Sequence, residues 1–167
     1  ASTVLGKYVG NTLILMMGVG ALAILFGVSS AWVITRYEFA GRGWFEWMLL
    51  LPAAIPAYII AYTYTDFFEY AGPVQTALRG FFGWQSARDY WFPEIRSLGG
   101  ATLVMASVLY PYIYMVTRIA FRLTSASLFE IAIVHNKSQF WTVGLPLARP
   151  AIMAGLALVL MEVVSDF

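Results

Sequence analysis

Two carboxylates four residues apart, Glu162 and Asp166 in "MEVVSDF", are the residues here whose types and spacing best suit chemistry. On a helix, positions i and i+4 share one face. The residues before them carry no charge from Pro150 to Met161. A carboxylate in such an apolar setting is costly and is a functional candidate by default. A second set lies in "YTYTDFFE": Tyr62, Asp66 and Glu69, with Tyr62 one helical turn before Asp66. Carboxylate and phenol oxygens are hard ligands, suited to a hard, highly charged cation. Each set also has a plainer reading. Glu162 and Asp166 can pair with a basic residue on another helix. Tyr62, Asp66 and Glu69 can stand at the membrane–water boundary, where charge is cheap and tyrosine is common.

Other chemistries find little support. The chain has no cysteine, which excludes disulfides, thiolate metal sites and thiol nucleophiles. The one histidine, His135, has no Cys, His or carboxylate at metal-ligand spacing. "GVSSA" at 27–31 lies in the middle of a long apolar run with no histidine near it, so small-residue helix packing explains it better than a nucleophile turn. "GKY" at 6–8 is not part of a G-x-x-x-x-G-K-[ST] phosphate loop, so the chain has no ATP site of that kind. A net charge of +1 gives no electrostatic case for nucleic acid. An intramembrane enzyme therefore lacks its parts.

The elements that hold these residues are membrane helices. Sixty per cent of residues are hydrophobic and 11% charged, against about a quarter charged in a soluble domain, and mean hydropathy is +0.74. One soluble core of 167 residues cannot hide that much apolar surface. Charge-free runs at 8–35, 47–65, 97–117 and 150–161 predict about four spans, at 9–35, 46–70, 98–121 and 149–167, the first long enough to cross a hydrocarbon layer of about 30 Å with tilt and the second just long enough. Glycine-rich "MGVGALAILFG" reads as a helix-packing face rather than a signal peptide. Pro52 and Pro56 are expected to kink the second helix and Pro111 the third. Segment 71–97 reads as a loop with one short amphipathic stretch, with Trp84, Tyr90 and Trp91 at headgroup level. The fourth span, cut at Phe167, reads as incomplete and the chain as a fragment.

The 36–42 turn and the 118–149 loop hold six Lys/Arg residues, and the opposite side holds four. That bias places the loop in the cytoplasm. Within it, 123–141 is expected to form a short helix, a break and a second short helix. Glu130, Ala132 and Val134 fall in the first and Asn136 at the break, where asparagine tolerates the left-handed conformation. Ser138 can cap the second of these helices. Pro146 and Pro150 suit the start of the fourth membrane helix. Such a loop can dock into a cytoplasmic groove, or simply lie on the headgroups.

The loop resembles the coupling loop of ABC importer permeases, whose pattern runs Glu-Ala-Ala, three residues, Gly, then about a dozen residues to Leu-Pro. Glu130, Ala132, Leu145 and Pro146 match it, and "FWTVGLPLARPAI" matches its downstream half. Asn136 stands in place of the family Gly and Ile131 in place of the first Ala. The Glu130–Pro146 spacing is roughly three residues short, which turns the faces by about 60°. "LLLPAAIPAYIIAYTY", "YPYIYMVTRIAF" and "GLALVLMEVVSDF" resemble the ferric-iron branch. The resemblance implies an all-α, polytopic helical bundle of the type I ABC importer permease kind, one permease domain over 1–167, in the bacterial inner (plasma) membrane. It implies half of a translocation path near "MEVVSDF" and no cofactor on this chain, with ATP held by cytoplasmic ATP-binding subunits. It further implies an external solute-binding protein and a second permease half in the same full-length chain. Ferric iron is the expected cargo. Thiamine, a polyamine or a phosphonate, or a structural subunit without a path, are the alternatives.

Overall fold

The computed structural model describes residues 2–165, and the side chains of all of these but 2–5, 57, 58 and 61. Every regular element among the described residues is helical. Helix α1 (Ser2–Arg36) runs unbroken. The chain then turns at Gly41, at φ 85°, into α2 (Arg42–Met48), followed by the short α3 (Leu51–Ala54) and by α4 (Ala57–Phe68). Then come α5 (Pro73–Phe82), α6 (Leu98–Leu123), α7 (Ala126–Val134), a π-helical turn (Phe140–Gly144) and α8 (Leu145–Ser165).

Among the described residues, three helical stretches are long and apolar enough to cross a membrane: Gly6–Arg36, Leu98–Leu123 and Phe140–Ser165. The expected polytopic all-α class holds. The second expected span does not form one helix. Across 46–70 the chain is cut at 49–50 and again at Ile55, which is extended (φ −106°, ψ 131°). The cause is local. Pro56 clashes with an α-helical conformation at the preceding residue, and neither Pro52 nor Pro56 has an N–H to bond back along the helix. Two prolines four residues apart therefore break the segment where a kink was expected. Pro111, alone and buried in α6, leaves that helix continuous.

The three long helices share one core. Leu15, Val19, Ala23 and Ala31 of α1, Ala106, Ile113 and Tyr114 of α6, and Val159 and Val163 of α8 are fully buried. Glycines bring the backbones together. A Cβ on Gly27 would lie 2.9 Å from the Ile113 Cβ and 3.0 Å from the Tyr110 carbonyl oxygen, and one on Gly155 would lie 3.0 Å from the Ile113 Cα. The α6 backbone at Ile113 is thus held between α1 and α8, as in small-residue membrane packing. Gly18 meets Thr102 and Gly20 meets Leu156 in the same way, so "MGVGALAILFG" is a packing face as expected. Val28 and Ala31 of "GVSSA" are buried, while Ser29 bonds back to the Leu25 carbonyl at 2.5 Å.

The fourth helix also begins earlier than expected. It starts at Gln139, passes through the π-helical turn and continues to Ser165, so Pro146 and Pro150 lie inside it and not at its start. In the turn the Leu145 N–H donates to the Phe140 carbonyl, five residues back. That wider winding falls directly before Pro146, which has no N–H to donate back along the helix.

Candidate functional site

The loop end of the bundle is built around Trp32. Its ring meets Phe121 of α6 at 5.3 Å, Phe129 of α7 at 6.0 Å and Phe140 of the π-turn at 5.0 Å, all edge-on. Edge-to-face rings add attraction beyond burial. Gly144 fits beneath the indole, since a Cβ there would come within 2.5 Å of the Trp32 ring. Arg36, one turn further on, lies 4.3 Å over the Phe129 ring and donates a short hydrogen bond to the Gln139 amide oxygen. The end of α1 therefore holds both the surface helix α7 and the start of the last membrane helix.

On α7, Phe129 and Ala132 are buried against the bundle while Glu130 is exposed. Ile131, Ile133 and Val134 are exposed too, the last at 82%. Asn136 has φ 51°, in the left-handed region, and ends the helix as expected. The Lys137 N–H donates to the Ala132 carbonyl at 2.8 Å and the Asn136 N–H to the Ile133 carbonyl at 2.9 Å, which closes the turn. Ser138 contributes its carbonyl, which takes the Thr142 N–H. The expected second short helix does not stand alone, because it merges with the membrane helix. Leu145 and Pro146 accordingly belong to α8 and not to a free loop.

Beside this end, Glu46 of α2 pairs with Arg118 and Arg122 of α6, the Arg122 contact being 3.3 Å. Arg118 and Glu46 are mostly shielded, at 16% and 23% side-chain exposure. Broken pairs of this kind leave an uncompensated charge. Sequence reading missed both this cluster and Trp32–Arg36. Along its own helix Glu46 has Arg42 one turn away, and nothing in the sequence points instead to partners 72 and 76 positions further on.

The path candidates lie toward the opposite end. Glu162 is half-buried on α8, between the fully buried Val159 and Val163. Asp166 lies outside the described residues. Tyr62 is 72% exposed on α4 and Asp66 is exposed two residues before its end. Glu69 follows α4 and pairs with Arg96 at 3.2 Å. The structure thus sets Glu162 on one helix and Tyr62, Asp66 and Glu69 on or after another, with α6 in contact with both. Among the described residues no three His, Asp or Glu side chains converge to hold a metal ion.

Segment 71–97 is better ordered than a loop. Gln75 is buried. Its amide nitrogen donates to the Phe68 carbonyl (2.8 Å), and its oxygen accepts from the Tyr90 hydroxyl (2.5 Å), which also accepts from Arg79 (3.0 Å). Trp84 stacks on Tyr90 at 4.7 Å, so of the three aromatics expected at headgroup level Trp91 is the exposed one, at 86%. The Asp89 carboxylate takes the backbone N–H groups of Gln85 and Ser86 at 2.9 and 2.8 Å, and these bonds, the Ser86 one first, lower its pKa below 3.8.

No family model matches the chain. Curated relatives do. The chain is 24% identical over 166 residues to a ferric-iron transport system permease protein of Haemophilus influenzae, covering 98% of this chain and 28% of that protein. It is 26% identical over 164 residues to a molybdenum transport system permease protein of Escherichia coli, covering 94% of this chain and 68% of the relative. It is 25% identical over 146 residues to a sulfate transport system permease protein of Salmonella typhimurium, covering 86% and 50%. The chain therefore spans between about a quarter and two thirds of the length of these relatives. Together with the helical bundle, the similarity supports the ABC importer permease family and a transport subunit. It does not favour iron over molybdenum or sulfate.

Proposed function

We propose that this chain forms half of the translocation path of an ATP-driven importer in a bacterial inner membrane. In this reading α7 couples the path to cytoplasmic ATP-binding subunits, and an external solute-binding protein delivers the cargo. The observation that carries the proposal is α7. It is a short surface helix, ended by a left-handed Asn136, and held to the last membrane helix through Phe129, Trp32 and the π-turn. It turns Glu130, Ile131, Ile133 and Val134 outward. A carboxylate ringed by exposed apolar side chains suits a groove with a basic rim. Because α7 and α8 share one aromatic anchor, motion of α7 is transmitted to the helix that carries Glu162.

The cargo in this reading is an inorganic ion, ferric iron by the resemblance of "LLLPAAIPAYIIAYTY" and "GLALVLMEVVSDF" to the ferric-iron branch. The relatives named for molybdenum and sulfate supply the second reading, an oxyanion. The test is ATP hydrolysis by the reconstituted importer with its solute-binding protein loaded with ferric iron, molybdate or sulfate in turn. Stimulation by the iron-loaded protein alone is expected. Stimulation by an oxyanion alone overturns the iron assignment, and no coupled hydrolysis with any of them overturns the importer reading.

A further inference from the structure

A cavity of about 480 Å³ opens where the first and last membrane helices meet, lined by Trp32, Arg36, Tyr37, Lys137, Ser138 and Phe140 among others. Its size is that of a small-molecule site. Its charge is one-sided: among the described residues neither Arg36 nor Lys137 makes an ion pair. Arg36 is nonetheless fixed. It is laid over Phe129, 5.9 Å from the Trp32 ring centre, and tied by one N–H to Gln139. A guanidinium has five N–H donors, so others remain for a ligand. The Lys137 ammonium and the Ser138 hydroxyl add donors from the turn that Asn136 creates. Two cations and a hydroxyl in one recess are the recognition chemistry of a phosphate group.

The level of the cavity narrows the source. The apolar stretch of α1 ends at Arg36, and that of the last helix begins at Phe140. Both cations thus stand where two spans leave the hydrocarbon layer, the depth of a lipid phosphate. Val33, on the same face of α1 as Arg36, and Trp141, one turn beyond Ser138, are 44% and 67% exposed and offer apolar surface to an acyl chain and glycerol. We propose that this cavity binds the phosphate headgroup of an anionic phospholipid, with Arg36 and Lys137 as its cationic contacts. The bound lipid clamps the end of α1 to the start of the last membrane helix.

Native mass spectrometry of the full permease, released from detergent and titrated with phosphatidylglycerol or phosphatidylcholine, tests this. Phosphatidylglycerol should be retained in preference. Arg36→Gln and Lys137→Gln should each lower its retention about fivefold, the contribution of one basic residue to an anionic headgroup. Arg42→Gln, at the same end but outside the cavity, should leave retention unchanged. Arg36→Gln also removes the contact with Phe129, so the exposed Lys137 is the deciding position. Retention by Lys137→Gln equal to that by Arg42→Gln overturns the proposal. Loss of the bound lipid in excess inorganic phosphate also overturns it, since the site would then be one for a free anion.

Discussion

At the scale of single residues, Glu162 poses the sharpest question. Its side chain is half-buried, and among the described residues it has neither an ion pair nor a hydrogen bond. A membrane carboxylate without a partner among the described residues faces either a wet path or a cation supplied by another part of the assembly. Glu162→Gln separates the two, because it keeps the shape and removes the charge. On the path reading, thermal stability is unchanged while cation transport falls at least tenfold, a loss of about 1.4 kcal/mol or more in the transport step. On the pairing reading, the stranded partner lowers stability first, by about 3–5 kcal/mol, and transport per folded complex is normal. Asp89 offers a pH test. Its folded pKa is depressed by the two backbone N–H groups it accepts. The stability it gives the 84–90 turn is therefore present above the unfolded carboxyl value of about 3.9, and is lost as pH falls through the lower folded value. Hydrogen exchange of the Gln85 and Ser86 amides should show protection at neutral pH that fades as pH falls through the lowered Asp89 value. In Asp89→Asn that protection should be weak at every pH.

At the scale of elements, α6 is held with its backbone close against two glycines, Gly27 and Gly155. Gly155→Leu drives a side chain into the Ile113 backbone, 3.0 Å from where its Cβ would stand. Backbone cannot swing aside as a side-chain tip can, so a loss of about 1–3 kcal/mol is expected, read as a lower melting temperature of the purified permease. Gly10→Leu on the open face of α1, where a Cβ meets nothing within 4 Å, should be neutral. The surface helix α7 has a different test. Glu130→Arg should release the ATP-binding subunits and leave the melting temperature unchanged, because Glu130 is exposed and its neighbour Ala132 carries the packing. Unchanged co-purification of those subunits would remove α7 from the coupling role. How well these elements could be read in advance depends on the range of the forces that shape them. The long helices α1 and α6 were legible because each is a long uncharged apolar run without two prolines in succession to break it. Asn136 was legible because its conformational tolerance is local. The break at Ile55 and the merger at Phe140 were not, since proline only permits a kink, a stop or a first turn. At Phe140 the choice is set from a distance, by Trp32 pinning Gly144, and at Ile55 by the second proline next to it, which makes a break of what one proline would leave as a kink. The partners of Arg36 and Glu46 lie about a hundred and about seventy positions away, beyond any periodic signal.

At the scale of the molecule, contacts sort the chain into two ends. Arg36 reaches Gln139 and Phe129, and Glu46 reaches Arg118 and Arg122, so the 36–42 turn, α2, α7 and the start of the last helix share one end. Phe68 stacks with Phe92, Gln75 bonds the Phe68 carbonyl and Glu69 pairs with Arg96, so the end of α4, α5 and 84–97 share the other. The first end carries the larger share of Lys and Arg, and on the proposed importer reading that bias places it on the cytoplasmic side. The broken segment 42–68 must then pass between the two ends, although none of its pieces is long enough to span alone. Its two interruptions need not face lipid, because α3 and α4 both pack on α6, and irregular backbone is tolerated at membrane depth where protein covers it. The chain has no cysteine, so a single introduced thiol reports its own side without background. Arg42→Cys should react with an impermeant maleimide only from the cytoplasmic face of oriented vesicles, and Ser86→Cys only from the external face. Labelling of both from one face would mean that 42–68 re-enters without crossing. In that case α7 and α5 would lie on the same side of the membrane, and a helix held to the path from the cytoplasm could not act on a loop that receives cargo from outside.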